Sequence, residues 1–174
     1  MIIKETKTYK FEELTEEQQE KAIENYSDFN VRDGYWFEHY TEDNLDIGLK
    51  VSEFDIDRGS FCRFECQEDF ETIARNIIKT YGKKEAVYQT ATNFLESFSK
   101  IQKELESDLE ENQEDKIYDL EEEKEELEKE FEKELQEDFL SMLRREYEYQ
   151  TSEEAIKESL IVNDYDFTVE GKIF

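Results

Sequence analysis

The apolar positions of this chain follow two periods, and each predicts its own kind of element. Ile2 to Phe11 mixes β-branched and aromatic residues with Lys and Thr, which predicts a strand. The spacing then turns helical, with Ala22, Ile23, Tyr26 and Phe29 three or four apart. Thr15 with Gln18 three positions on is a capping-box pattern, so the helix should begin at Glu16. Asp33-Gly34 marks a break. Between Gly34 and Leu49, Trp36, Tyr40 and Ile47, with Phe37 beside them, predict a second helix ending near Gly48. Leu49 to Ile56 and Phe61 to Cys66 read as a β-hairpin around Asp57-Arg58-Gly59-Ser60, with Gly59 placed for a positive φ.

The second half is helical. Phe70, Ile73, Ala74, Ile77 and Ile78 predict a helix over 69–81 that stops at Gly82. A longer one runs from Lys84 to about Leu109, and another from Asp115 to Tyr149. Glu110-Glu111-Asn112-Gln113, with no apolar residue, is the expected tip between them. Thr151 with Glu154 predicts a capped short helix through Ala155, Ile156 and Leu160. Tyr165, Phe167 and Val169 alternate with polar residues as a half-buried strand does, and Glu170-Gly171 turns the chain back toward Ile173. The expected fold is α+β. One small antiparallel sheet joins the N-terminal strand, the 49–66 hairpin and the C-terminal strand. Helices pack on it, and a long coiled-coil-like antiparallel helical hairpin protrudes. The expected organisation is a body over 1–94, an acidic helical hairpin over 95–144, and a helix and strand over 145–174 that return to the body.

Charge then changes the picture. The formal net charge is −27. A balance so acidic disfavours direct binding of nucleic acid, whose readers carry basic patches, and of anionic membranes. Aromatic residues make up 14% of the chain, which argues for a packed core and against an acidic disordered chain. There is no proline, which suits long uninterrupted helices. No apolar run is long enough to span a bilayer, no apolar signal region opens the chain, and only two Cys are present, so cytoplasmic residence is expected.

Lys103 to Asp138 holds 19 Asp or Glu against 5 Lys. Two rows step by four along the second long helix. Leu127, Phe131, Leu135, Phe139, Leu143 and Tyr147 form an apolar row. Each step advances 400°, so the row drifts by about 40° per step and cannot face one partner throughout. Its start should pack on the preceding arm and its end on the body. Glu122, Glu126, Glu130, Glu134 and Asp138 form an acidic row, although like charges at this spacing cost roughly 0.2–0.5 kcal/mol per pair. From Asp119 to Asp138 the net charge is −9, or about one per 3.3 Å at 1.5 Å rise. One strand of DNA carries one per about 3.4 Å. The helix over this stretch therefore matches one nucleic-acid strand in charge density, falls short of a duplex, and carries a row that spirals; it equally fits the outer face of a solvated coiled-coil arm.

Other chemistry is thin. Cys62 and Cys66 lie four apart on a predicted strand and, with His39, lack normal zinc-ligand spacing; they are expected to be two buried thiols, and Cys–His catalysis has only His39 as base. Glu53, Asp55 and Asp57 could gather around a cation at the hairpin turn, with Arg58 as a competing partner. No glycine spacing cradles phosphate. No cofactor or metal is expected. Tyr35, Trp36, Phe37 and Tyr40 are expected mainly in the core; any exposed part, Trp36 and Tyr40 foremost, would serve as an interface anchor.

Four segments carry a resemblance: Lys7 to Leu14, Asp55 to Cys62, Glu146 to Tyr149 and Tyr165 to Thr168. They resemble a family of small acidic proteins from phages and prophages of Gram-positive bacteria, sometimes labelled antitoxins of a toxin–antitoxin stability system. The resemblance implies a mobile-element origin. Together with the acidic row it leads to the expectation of a non-enzymatic, anti-CRISPR-like inhibitor that binds a basic nucleic-acid-binding host protein. Glu122, Glu126, Glu130, Glu134 and Asp138 would form its binding face. An antitoxin capping a basic toxin, and a structural protein that homodimerises through its arm, are the alternatives.

Overall fold

A computed structural model describes residues 7–41, 46–111 and 114–174. The fold is α+β. The chain divides into two compact units, Met1–Phe37 with Arg145–Phe174, and Glu38–Arg144. Residues 1–37 of the 1–94 segment thus fall in one unit and 38–94 in the other.

The first unit forms around Phe11, Leu14, Ala22, Ile156, Leu160 and Phe167, all buried. Strand β1 (Tyr9–Lys10) pairs antiparallel with β4 (Asp166–Phe167), Tyr9 opposite Phe167. The strand expected over 2–11 ends at Lys10, because Phe11–Glu13 coil into a 3-10 turn; residues 2–6 lie outside the described residues. The Glu13 carboxylate accepts the Lys10 N–H at 2.8 Å, and the turn swings Phe11 edge-on to Phe167. Helix α1 (Glu16–Asn25) starts at the capping box foreseen, Thr15 with Gln18. Helix α6 (Glu153–Val162) is capped by Ser152, whose hydroxyl accepts the Ala155 N–H, and not by Thr151. The Thr151 hydroxyl instead donates to the Tyr147 carbonyl.

After β4 the chain returns on itself through Gly171, with Phe167 bridging to Ile173. Gly171 has φ +70°, and an added Cβ would lie 2.7 Å from the Ala22 backbone nitrogen. That neighbour is helix backbone and cannot rotate away. Gly171→Ala should therefore combine left-handed backbone strain, roughly 1–2 kcal/mol, with displacement of the turn from α1, for a total loss of about 2–4 kcal/mol. Urea unfolding followed by tryptophan emission, which reports this unit, measures it; a loss below about 1 kcal/mol would show the turn to be more yielding than its packing implies.

The second unit begins with α2 (Glu38–Thr41), a single turn preceded in the first unit by a 3-10 turn over Tyr35–Phe37. The continuous helix expected from 34 to 48 does not form; 42–45 lie outside the described residues, and Gly48 takes φ +77° where the chain enters β2. Strands β2 (Leu49–Asp55) and β3 (Phe61–Cys66) make the hairpin read from the sequence, with a register shift between Val51 and Glu53. At its turn the positive φ falls on Ser60, at +49°, and not on Gly59. Gly59 serves differently: its missing side chain leaves room for the Asp55 carboxylate, which accepts the N–H groups of Asp57 and Gly59 at 2.8 and 2.9 Å.

Helices α3 (Phe70–Thr80), α4 (Ala86–Glu111) and α5 (Glu114–Gln150) complete this unit, the last six residues of α5 belonging to the other. Asp69 caps α3 by accepting the Thr72 N–H at 2.9 Å. The single sheet expected from the sequence is instead two separate two-stranded ladders, β1 with β4 and β2 with β3. Two-residue strands closed off by the Phe11 turn and the Gly171 return leave too short a ladder to extend a sheet.

Candidate acidic binding face

The face is built on the apolar row beneath it. Phe131 is buried, stacked on Phe94 of α4 at 4.1 Å between ring centroids and edge-on to Phe70 of α3 at 5.8 Å. Two turns on, Phe139 lies against Phe64 of β3 and Tyr81 beyond α3. Arg144 donates to the Ile56 carbonyl and the Ser60 hydroxyl of the hairpin turn. The row thus changes partners as it drifts, from α4 to the β-hairpin, within the second unit.

Fixing that row presents the acidic row. Glu122, Glu126, Glu130 and Glu134 are exposed. Asp138, the fifth member, is half-buried and accepts the Thr90 hydroxyl of α4 at 2.8 Å, so it ties the two helices together rather than facing outward with the other four. Two lysines of this stretch serve other carboxylates: Lys124 pairs with Glu128 at 3.9 Å and lies over the Phe98 ring, and Lys129 pairs with Glu125 at 3.7 Å. Among the described residues, none of Glu122, Glu126, Glu130 and Glu134 forms an ion pair.

The electrostatic result is visible at Glu134. Partial burial, followed by the neighbouring charges of Glu130, Asp138 and Glu137, pushes its carboxyl above the usual range. A raised folded-state pKa means that ionisation costs stability at neutral pH, and that protonation relieves the cost as pH falls through that pKa. Asp55 and Asp69 act in the opposite sense. Backbone N–H groups hold both below the usual range, so their contribution is present above the unfolded value and lost as pH falls further. As pH falls, these groups should therefore add stability through the raised Glu134 pKa and then remove it as Asp55 and Asp69 protonate. Glu134→Gln should flatten the rising limb and raise stability at pH 7 by about 0.5 kcal/mol or somewhat more, since it removes two like-charged i,i+4 pairs. Thermal midpoints across pH check both; a Glu134→Gln midpoint at pH 7 at or below that of the parent would contradict the repulsion.

The remaining sequence candidates disperse. Trp36 is half-buried in the first unit, edge-on to Phe37 and to Tyr147, each at 5.4 Å. Tyr40 belongs to the second unit and is buried, so it does not stand on an open surface. The helical face expected to unite Trp36, Tyr40 and Ile47 is divided between Phe37 and Glu38. Cys62 is buried, and burial pushes its thiol up to about 12. Cys66 is exposed, against expectation, because the final residue of β3 lies where the hairpin runs out. Glu53 is paired with Arg63 at 2.7 Å, in place of the expected Arg58, and Asp55 serves its own turn. Among the described residues, no three His, Cys, Asp or Glu side chains gather as a metal site, and no helix is long and apolar enough to cross a membrane.

Sequence reading missed the furrow beside the acidic row. A cavity of about 350 Å³ lies between α4 and α5, with Ile101, Leu120 and Leu127 at its base and Lys100, Glu126 and Glu130 among its walls. An adjoining one of about 170 Å³ reaches Asn93 and Glu134. The sequence carried no signal for it, because Leu127 reads as one more member of the apolar row and the gap beside it depends on how α4 and α5 pack. No protein-family model, no curated protein and no solved structure matches this chain.

Proposed function

We propose that this chain acts by binding rather than by catalysis. Its α5 acidic face would occupy the basic nucleic-acid channel of a host protein, as an inhibitor carried by a phage or related element and working in the host cytoplasm. The observation that carries this reading is the exposed row Glu122, Glu126, Glu130 and Glu134, which forms no ion pair among the described residues while Lys124 and Lys129 pair with other carboxylates. A helix merely kept in solution gains more from balanced i,i+4 pairs than from such a row. The helix over 119–138 has a charge density close to that of one nucleic-acid strand, and the field of a −27 chain would speed encounter with a basic groove. The partner class is a nuclease or another nucleic-acid-binding defence enzyme. The segments that resemble phage and prophage proteins labelled antitoxins favour a second reading, in which the same face caps a basic toxin.

The test is capture of partners from a Gram-positive host lysate at low and high salt. A basic nucleic-acid-binding protein retained only at low salt, and displaced by single-stranded DNA, supports inhibition by substitution. Retention that neither salt nor DNA disturbs sinks it. A basic toxin that salt releases but DNA does not would select the second reading.

A further inference from the structure

We infer that the furrow between α4 and α5 is the docking site for one basic amphipathic helix of a protein partner. The inference rests on the acidic-face reading and names what that face grips. The two cavities share Ser97, Leu127 and Glu130 in their walls and so adjoin along one channel-like furrow. From Glu123 to Glu134 it follows twelve residues of α5, a rise of about 16 Å at 1.5 Å per residue, or three helical turns.

Charge alone does not explain a channel. A surface that only imitates phosphates needs carboxylates and nothing apolar between them. Here half-exposed Leu127 and the buried Ile101 and Phe131 give the carboxylates a hydrophobic base. The complementary object has apolar residues along one stripe and lysine or arginine on both flanks. A helix with apolar anchors at i, i+3, i+4 and i+7 has that form, and it suits a groove between two helices. Its stripe would cover Leu127, and its cationic heads would reach Glu126, Glu130 and Glu134, the residues with no cation of their own. Nucleic acid and anionic lipid carry the wrong sign. A second copy of this chain would set its own glutamates against these. Lys100, on the α4 wall, is the cation lining the first cavity, and it would favour an acidic residue at one end of the incoming helix, which sets its direction.

The experiment uses the full chain and three labelled probes at physiological salt, read by fluorescence anisotropy. The first is an 18-residue helical peptide with a leucine stripe flanked by Lys and Arg. The second has the same composition with the stripe scrambled. The third is oligolysine of equal charge. The stripe peptide is expected to bind at least tenfold more tightly than the other two. Ser97→Trp, which fills the channel from α4, should erase that preference while leaving scrambled-peptide binding unchanged, and Leu127→Ser on the opposite helix should do the same. Equal binding of striped and scrambled peptides overturns the inference. So does a preference that survives both substitutions, which would place the peptide elsewhere, or a self-associating parent that Ser97→Trp renders monomeric, which would assign the channel to a second copy. If the preference is absent but all three probes still bind with strong salt dependence and lose binding on charge reversal of the row, the acidic-face reading stands without the channel.

Discussion

Glu122, Glu126, Glu130 and Glu134 replaced together by lysine should weaken binding to the basic partner proposed above at least a hundredfold, about 2.7 kcal/mol, with the helix intact. The four side chains are exposed and, among the described residues, without ion pairs, so the native fold loses no salt bridge. The local charge over 119–138 moves from −9 to −1. Each reversed position sets a lysine against a cation of the partner, and misplaced like charges across an interface cost several kcal/mol. Asp138 stays as it is, because its carboxylate holds Thr90 of α4 and its removal would mix a packing defect into the result. Titration calorimetry at two salt concentrations measures the effect, with circular dichroism to verify the helix. The four-glutamine variant should fall between parent and reversal and show a shallower salt dependence. Affinity equal to that of the parent in the lysine variant would remove the row from the interface.

Phe131→Ala should have the largest effect on stability, a loss of about 3–5 kcal/mol. Phe131 is 2% exposed and lies where three helices meet, stacked on Phe94 and edge-on to Phe70. Such aromatic pairs contribute about 0.5–1.5 kcal/mol each beyond the area they bury. Helix α5 cannot shift to close the cavity without also moving Phe139 from Phe64 and Tyr81. Chemical denaturation followed by far-ultraviolet circular dichroism is the measurement. A loss under about 1 kcal/mol would mean that α4 and α5 are not joined through this ring. Phe131→Leu, which refills most of the volume, should recover more than half of the loss.

How legible the chain is depends on the range of the interaction that decides each feature. Local signals read well. Thr15 with Gln18 marked the start of α1, and alternation on either side of Asp57 to Ser60 marked the hairpin. The drift of the apolar row foretold that Phe131 and Phe139 would have different partners, since rotation per residue is a property of the helix itself. Features set by distant contacts read poorly. Whether β1 joins β2 or β4 is decided by where Phe11 and Phe167 meet, 156 positions apart. Asp138 looked like a fifth member of the acidic row until Thr90, 48 positions away, claimed its carboxylate. The aromatic density around Trp36 concealed a boundary between units, because periodicity shows that a residue is buried but not in which core.

The chain has a single tryptophan, and Trp36 packs on Phe37 and Tyr147 in the first unit. Its emission therefore reports on the packing of that unit around Trp36. Far-ultraviolet dichroism is dominated by α3, α4 and most of α5, which belong to the second. Nature has in effect given the two units separate spectroscopic channels. Recording both in one denaturation tells, without a label or a truncation, whether the protein melts as one cooperative body or as two.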